Sequence, residues 1–181
     1  MEYKKLVKEI EKYVKNEVKK FLAYDVFEEH INHVRNYAIK LAKIYKADKE
    51  VVEIAALLHD IAHMKKHEHH DLVGAEIAKK ILKSKLSNEK IELIAKCVKN
   101  HRGKYKRETI EEDIIFCADV MSHINGFLNL IYSGGVEKKG LTQTRDRLKK
   151  EINWAWKKMN LLKAKKMVKN RYKSVITLLK N

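Results

Sequence analysis

No proline interrupts the 181 residues and only six glycines are spread along them, so little in the chain breaks a helix. Lys, Glu, Ile, Leu and Ala fill most positions, and the predicted fold class is all-α. Cysteine is equally scarce. Cys97 and Cys117 stand alone, without C-x-x-C spacing and in apolar helical surroundings, which argues against a disulfide framework and for buried thiols in a reducing compartment. No window approaches the roughly 18 uninterrupted apolar residues of a membrane span, and Met1-Glu2-Tyr3-Lys4-Lys5 leads into a charged amphipathic pattern rather than an apolar signal core. A cytoplasmic protein without a membrane partner is expected. Glycine-rich phosphate loops are absent, which argues against a kinase or nucleotide switch. No serine, cysteine or threonine stands in a recognisable nucleophile motif, so covalent catalysis is disfavoured.

What the chain has in excess is positive charge, a formal +16. Taken alone this favours a polyanionic partner such as nucleic acid. The lysines are scattered along nearly every predicted helix, however, so a solvated surface is the preferred reading, with a nucleic-acid groove and steering of a phosphorylated substrate as alternatives. The length suits one compact domain, residues 1–181, with a core of about 22–132 and C-terminal helices over 142–181 packing on it.

Hydrophobic spacing predicts an amphipathic helix over residues 3–22, then a second, capped by Asp25, that carries Val26 to Tyr45 and includes His33. Asp48 caps a third, from about Lys49 to Ala62, whose lack of a polar face after Glu53 marks it as central and buried. The polar segment His63 to His70 reads as a loop at the mouth of a cavity. A fourth helix covers about Asp71 to Leu82, and Ser87 caps a fifth over Lys90 to Val98, which ends near His101-Arg102-Gly103. Thr109 with Glu112 resembles a capping box opening the helix that holds Asp119. A break is expected around Ser133-Gly134-Gly135, and the stretch Thr142 to Lys180 is too long for one helix and should bend near Asn160. Trp154, Trp156 and Met167 are expected among its packed residues.

The apolar run Val51 to Leu58 ends in His59-Asp60, and a charged pair at the end of a buried helix demands a partner. A metal ion is one, with His33 in the preceding helix and Asp119 downstream completing a His, His-Asp, Asp constellation. Mixed imidazole and carboxylate donors with open positions suit manganese, iron or magnesium better than a closed structural zinc site. Such an ion activates water and neutralises phosphoryl oxygens, which fits hydrolysis of phosphate esters. Lys65, Lys66, Arg102 and Lys104 flank the same end and are candidates to clamp a phosphorylated substrate. A surface role is the preferred reading for each lysine. His63, His67 and His69 read as surface histidines, and His30 and His123 each as either a support for a ligand or a surface residue.

These residues resemble the HD-domain phosphohydrolases. His33-Val34-Arg35, Ala55 to Ile61 around His59-Asp60, His70 with Gly74-Ala75-Glu76, Lys99-Asn100-His101-Arg102 and Ala118-Asp119 fall in that family's order and approximate spacing. The resemblance implies a helical bundle of the HD type in which His33, His59, Asp60 and Asp119 ligate one divalent metal. Nickel, cobalt or zinc are further ions a purified sample could carry. It also implies that His70 and His101 stand where some subfamilies hold a second ion bridged by Asp60. Direct phosphate contact, or no ligand role for these two histidines, stays open beside it. The expected activity is a metal-dependent phosphohydrolase acting on a nucleotide or related metabolite through metal-activated water, with Asp60, His70 and His101 as catalytic candidates. The alternative is a non-catalytic metal-containing binding or sensing module, with nucleic acid as a partner. The substrate, the native metal, the number of ions and the oligomeric state are not legible at this stage.

Overall fold

The computed structural model describes residues 2–21, 26–63, 69–126 and 136–180. Among these residues there is no strand. The elements in chain order are α1 (Glu2–Phe21), a π-helical turn (Phe27–Ile31) running directly into α2 (Asn32–Tyr45), α3 (Lys49–Leu58), α4 (His70–Leu82), α5 (Asn88–Asn100), α6 (Ile110–Asn125), α7 (Val136–Lys158) and α8 (Leu162–Leu178). No helix of the described residues is long and apolar enough to cross a membrane.

The central position of α3 follows from its sequence. Every residue from Val51 to Leu58 is buried, and the helix packs against α1, α2, α5 and α6. Its one interior charge, Glu53, is met by Arg35, whose Nη2 and Nε lie 2.6 and 2.9 Å from Oε1, and by the hydroxyl of Tyr3. Arg35 also donates from Nη1 to Glu11 at 3.0 Å, so one guanidinium ties α2 to both α1 and α3. A buried carboxylate is tolerable only with such partners.

Helix starts are fixed by side chains. Asp48 Oδ1 accepts from the backbone N–H groups of Glu50 and Val51, and Ser87 Oγ accepts from Lys90 N–H. At α6 the capping box is complete: Thr109 Oγ1 accepts from Glu112 N–H while Glu112 Oε2 accepts from Thr109 N–H at 2.9 Å. Glu112 is itself buried, and its other oxygen accepts from the Asn100 amide, which joins the end of α5 to the start of α6.

The turn leaving α5 requires glycine. Gly103 has φ +66°, and a Cβ there would fall 2.6 Å from Cε2 of Phe116. A side chain at this position meets both backbone strain and a ring on α6.

Several boundaries differ from expectation. The third helix ends at Leu58 rather than Ala62. Tighter turns follow, with Ile61 N–H to Leu58 O at 3.1 Å and His63 N–H to Asp60 O at 2.9 Å, so His59 and Asp60 sit at the helix end. The long C-terminal stretch does break at Met159 to Leu161, and Gly140, at φ 75° and ψ 165°, interrupts α7 near its start. Trp154 and Met167, expected in the core, are 44% and 37% exposed. The Asp25 cap and the break at Ser133-Gly134-Gly135 lie outside the described residues. One apolar cluster runs through residues of α1 to α6 and on to Leu148, Ile152, Ala164, Val168 and Val175 in α7 and α8, with α8 packed on α6.

Candidate metal centre

Imidazoles and carboxylates converge where α3 ends against α2, α4, α5 and α6. His59 is fully buried, and its Nδ1 lies 2.8 Å from the Ala56 carbonyl. A carbonyl only accepts, so Nδ1 carries the proton and Nε2 presents its lone pair to the cluster. His101 repeats the device at the end of α5, with Nδ1 2.6 Å from the Val98 carbonyl. Both rings are thereby oriented before any ligand arrives.

The first histidine of the constellation is His30, not His33. His30 Nε2 lies 3.1 Å from His59 Nε2, 3.6 Å from Asp60 Oδ2 and 3.3 Å from Asp119 Oδ1, and its Nδ1 is 3.1 Å from Ser122 Oγ. His33 is exposed, which corrects the sequence expectation. The physical reason is angular. At about 100° per residue, His33 shares a stripe with Glu29, Asn36 and Lys40, all exposed, whereas His30 shares one with Val34, Tyr37 and Leu41, which turn inward. That polar stripe is the signal in the sequence that separates the two histidines.

The remaining donors close the ring. Asp60 Oδ2 is 3.5 Å from His59 Nε2, and Asp60 Oδ1 is 3.3 Å from His101 Nε2 and 3.7 Å from His70 Nε2. Asp119 Oδ1 lies 3.9 Å from His59 Nε2 and 3.2 Å from Nε2 of His123, one turn further along α6. His123 also stacks on His30, with ring centroids 4.7 Å apart. His123 therefore belongs to the cluster, which its i+4 spacing from Asp119 foreshadows.

Three overlapping groups have ligand atoms within 4.8 Å of one another: His30, His59 and Asp60; His30, Asp119 and His123; and Asp60, His70 and His101. Asp119 Oδ1 is buried and has no hydrogen-bond partner, although Nε2 of His30 and of His123 lie 3.3 and 3.2 Å away. A buried, unbonded carboxylate oxygen among imidazole nitrogens is what a cation site contains before the cation is added. The donors present fit a divalent metal.

Electrostatics divide the cluster. Burial pushes the His59 imidazole down to about 4, and burial likewise takes His70 to about 4 against the pull of Asp60. His101 and His123 go the other way. Burial opposes their charged forms, but Asp60 beside His101 and Asp119 beside His123 prevail and raise both above the ordinary histidine value. Burial also works against Asp60 and Asp119, yet His59 and His101 hold the first, and His123 and His30 the second, well below the usual carboxylate range.

A cavity of about 400 Å³ opens beside the cluster, lined on one side by Asp60, His70, His101, Arg102 and Asp119 and on the other by residues of α7. Arg102 thus stands where a phosphate clamp was expected. Lys104 does not line it; its Nζ is 3.3 Å from Oδ2 of buried Asp71. Lys65 and Lys66 lie outside the described residues, as does His67. His63 lines the cavity mouth and its ring meets that of His70, with centroids 4.6 Å apart, while His69 is exposed.

The chain is similar to known proteins. A tRNA (cytidine(56)-2'-O)-methyltransferase of Picrophilus torridus is 30% identical over 146 residues, which is 71% of this chain. The chain spans only about two fifths (41%) of that relative's length. The crystal structure of a predicted HD superfamily hydrolase from an uncultured Thermotogales bacterium, 22% identical, shares the fold with a TM-score of 0.65 over 93% of this chain and 88% of that one. Residues 27–123, more than half of the chain and the segment holding every histidine and aspartate of the cluster, match the HD domain, and the chain belongs to the HD domain family.

Proposed function

We propose that the protein is a divalent-metal-dependent phosphohydrolase acting on a nucleotide or related phosphorylated small molecule. The observation that carries this reading is that carboxylate oxygens of Asp60 and Asp119 lie 3.3 to 3.9 Å from Nε2 of both His30 and His59, with Asp119 Oδ1 buried and unbonded. Those four residues would hold the ion, and His70 and His101, which share Asp60 with it, would hold a second ion or phosphate oxygens. Manganese, iron and magnesium suit the mixed nitrogen and oxygen donors. Bound there, a divalent ion supplies Lewis-acid activation of water and polarises phosphoryl oxygens.

The chain's own residues supply the rest. The Ala56 and Val98 carbonyls hold the His59 and His101 rings so that neither reorients during turnover. Asp60, kept charged by its histidine neighbours, takes the proton of the attacking water at Oδ1. Where His101 holds no ion, its Nε2, 3.3 Å from Asp60 Oδ1, gives a proton to the leaving oxygen. Arg102 on the cavity wall meets the phosphate oxygens.

Protein purified without chelator is expected to carry a divalent metal by elemental analysis and, with manganese, to release phosphate or pyrophosphate from a nucleotide and phosphoester panel. His59→Ala and Asp60→Asn should lose both metal and activity. Full activity in either variant ends this reading. A purely metal-containing binding module is disfavoured by the paired proton-handling groups Asp60 and His101. A second reading, action on RNA, draws on the charge of +16 and on the tRNA-modifying relative, which is similar over 71% of this chain.

A further inference from the structure

The cavity beside the donor cluster has two unlike walls. One is the polar wall of Asp60, His70, His101 and Arg102, and the other is built by α7, where Ile152, Trp154 and Ala155 line the space together with Val120 and Ile124 of α6. A phosphate and its ions satisfy the polar wall alone. The apolar wall would then be left wet, which its composition does not favour.

The two tryptophans of α7, two residues apart, have opposite fates. Trp156 is stacked on Tyr172, with ring centroids 4.0 Å apart and planes 6° from parallel. Trp154 lines the cavity, is 44% exposed, and among the described residues no aromatic ring lies against it. Lys158 Nζ sits 5.2 Å from its ring centroid. Two turns back from Trp154, Arg147 Nη1 lies 2.9 Å from both carboxylate oxygens of Glu151, which is one turn back, and both residues line the same cavity, offering donors and acceptors for hydroxyl groups or the edge of a ring.

We propose that the α7 wall is a nucleobase subsite, in which the base of a nucleoside phosphate stacks on Trp154 and its edge or ribose meets the Arg147–Glu151 pair while the phosphate faces the donor cluster. The subsite rests on the reaction centre proposed above. It deepens that reading by excluding base-free sugar phosphates as the preferred substrates. Stacking of a base on an aromatic side chain contributes about 1–3 kcal/mol, which corresponds to roughly a ten- to hundred-fold change in affinity. A cavity of about 400 Å³ is of the size that takes one small ligand.

Trp156→Phe keeps a ring against Tyr172 and leaves Trp154 as the sole tryptophan, so fluorescence reports on the subsite directly. AMP, titrated with manganese present, should quench that emission, and ribose 5-phosphate should not. Trp154→Leu should weaken AMP binding about ten-fold or more. Trp154→Phe, which retains a stacking face, should stay within a few-fold of the parent, with circular dichroism verifying the fold of each. Equal response to AMP and ribose 5-phosphate, or unchanged AMP affinity in folded Trp154→Leu, overturns the subsite. The Trp156→Phe titration needs no change at Trp154, so it decides the matter even if Trp154→Leu does not fold. Quenching by AMP without phosphate release from any substrate would sink the hydrolase reading while supporting the subsite.

Discussion

His30 and His33 make the sharpest residue-level contrast, because they are one turn apart and only one of them reaches the donor cluster. His30→Ala should abolish metal loading and phosphate release, whereas His33→Ala should leave both within about two-fold, as expected of an exposed position. Metal content and turnover measured on the two variants side by side decide it, and the reverse result would restore His33 to the site. Protons follow the same geometry. Burial opposes the charged form of His101, but Asp60 holds it above the ordinary histidine value, so an incoming ion at Asp60 and His101 competes with a proton there. Affinity for manganese should therefore rise with pH through and above the ordinary histidine range, by up to about ten-fold per unit for one displaced proton, and level off once His101 is neutral. His59 and His70, near 4, add nothing to that slope. Chelator competition at several pH values measures it, and affinity independent of pH would show that no proton is displaced. The His59-Asp60 pair and Asp119 were legible in sequence because a charged dyad after eight buried positions and an aspartate inside an apolar helix both call for a partner. The choice between His30 and His33 was not settled by spacing alone. Both fit the motif's spacing, and only the polar stripe shared by Glu29, Asn36 and Lys40 tells them apart.

At the scale of elements, the links between helices set the precision of the cluster. Glu112 is the joint between α5 and α6: it caps the latter and accepts from Asn100 at the end of the former, one residue before His101. Glu112→Ala removes those acceptors and leaves a buried amide without its carboxylate partner, a loss of about 1–3 kcal/mol. The thermal midpoint should fall by several degrees, and metal affinity should fall with it, because the His101 turn loosens. An unchanged midpoint would show that Glu112 does not hold the joint. Most helix starts were legible from their caps, Asp48, Ser87 and Thr109 among them, because a cap is a local pairing of side chain and backbone. The end of α3 was not. Apolar composition continues through Ile61 and Ala62 while the backbone tightens at His59 and Asp60, and no residue there signals a stop. The π-turn over Phe27–Ile31 was equally invisible, since its wider ring of hydrogen bonds, Asn32 N–H to Phe27 O, has no sequence signature.

For the molecule as a whole, the charge of +16 separates the two functional readings. Lysines are spread over every helix except α6, and several are engaged with acidic neighbours, such as Lys79 with Glu92 and Lys15 with Glu11. Binding to a tRNA should accordingly be weak, with a shallow dependence on salt. A log–log slope steeper than about −4 would mean that several phosphates are contacted together and would favour action on RNA. The all-α class and the central place of α3 were readable from the scarcity of breakers and from the unbroken apolar run. That α7 turns Trp154 toward the cavity was not, since an aromatic at helical spacing reads as core. The donors all lie within residues 27–123, whereas the facing wall comes from a later helix. Mutational drift can therefore reshape that wall without disturbing the donors, so kinship in this family predicts how a bond is broken more firmly than which molecule is accepted.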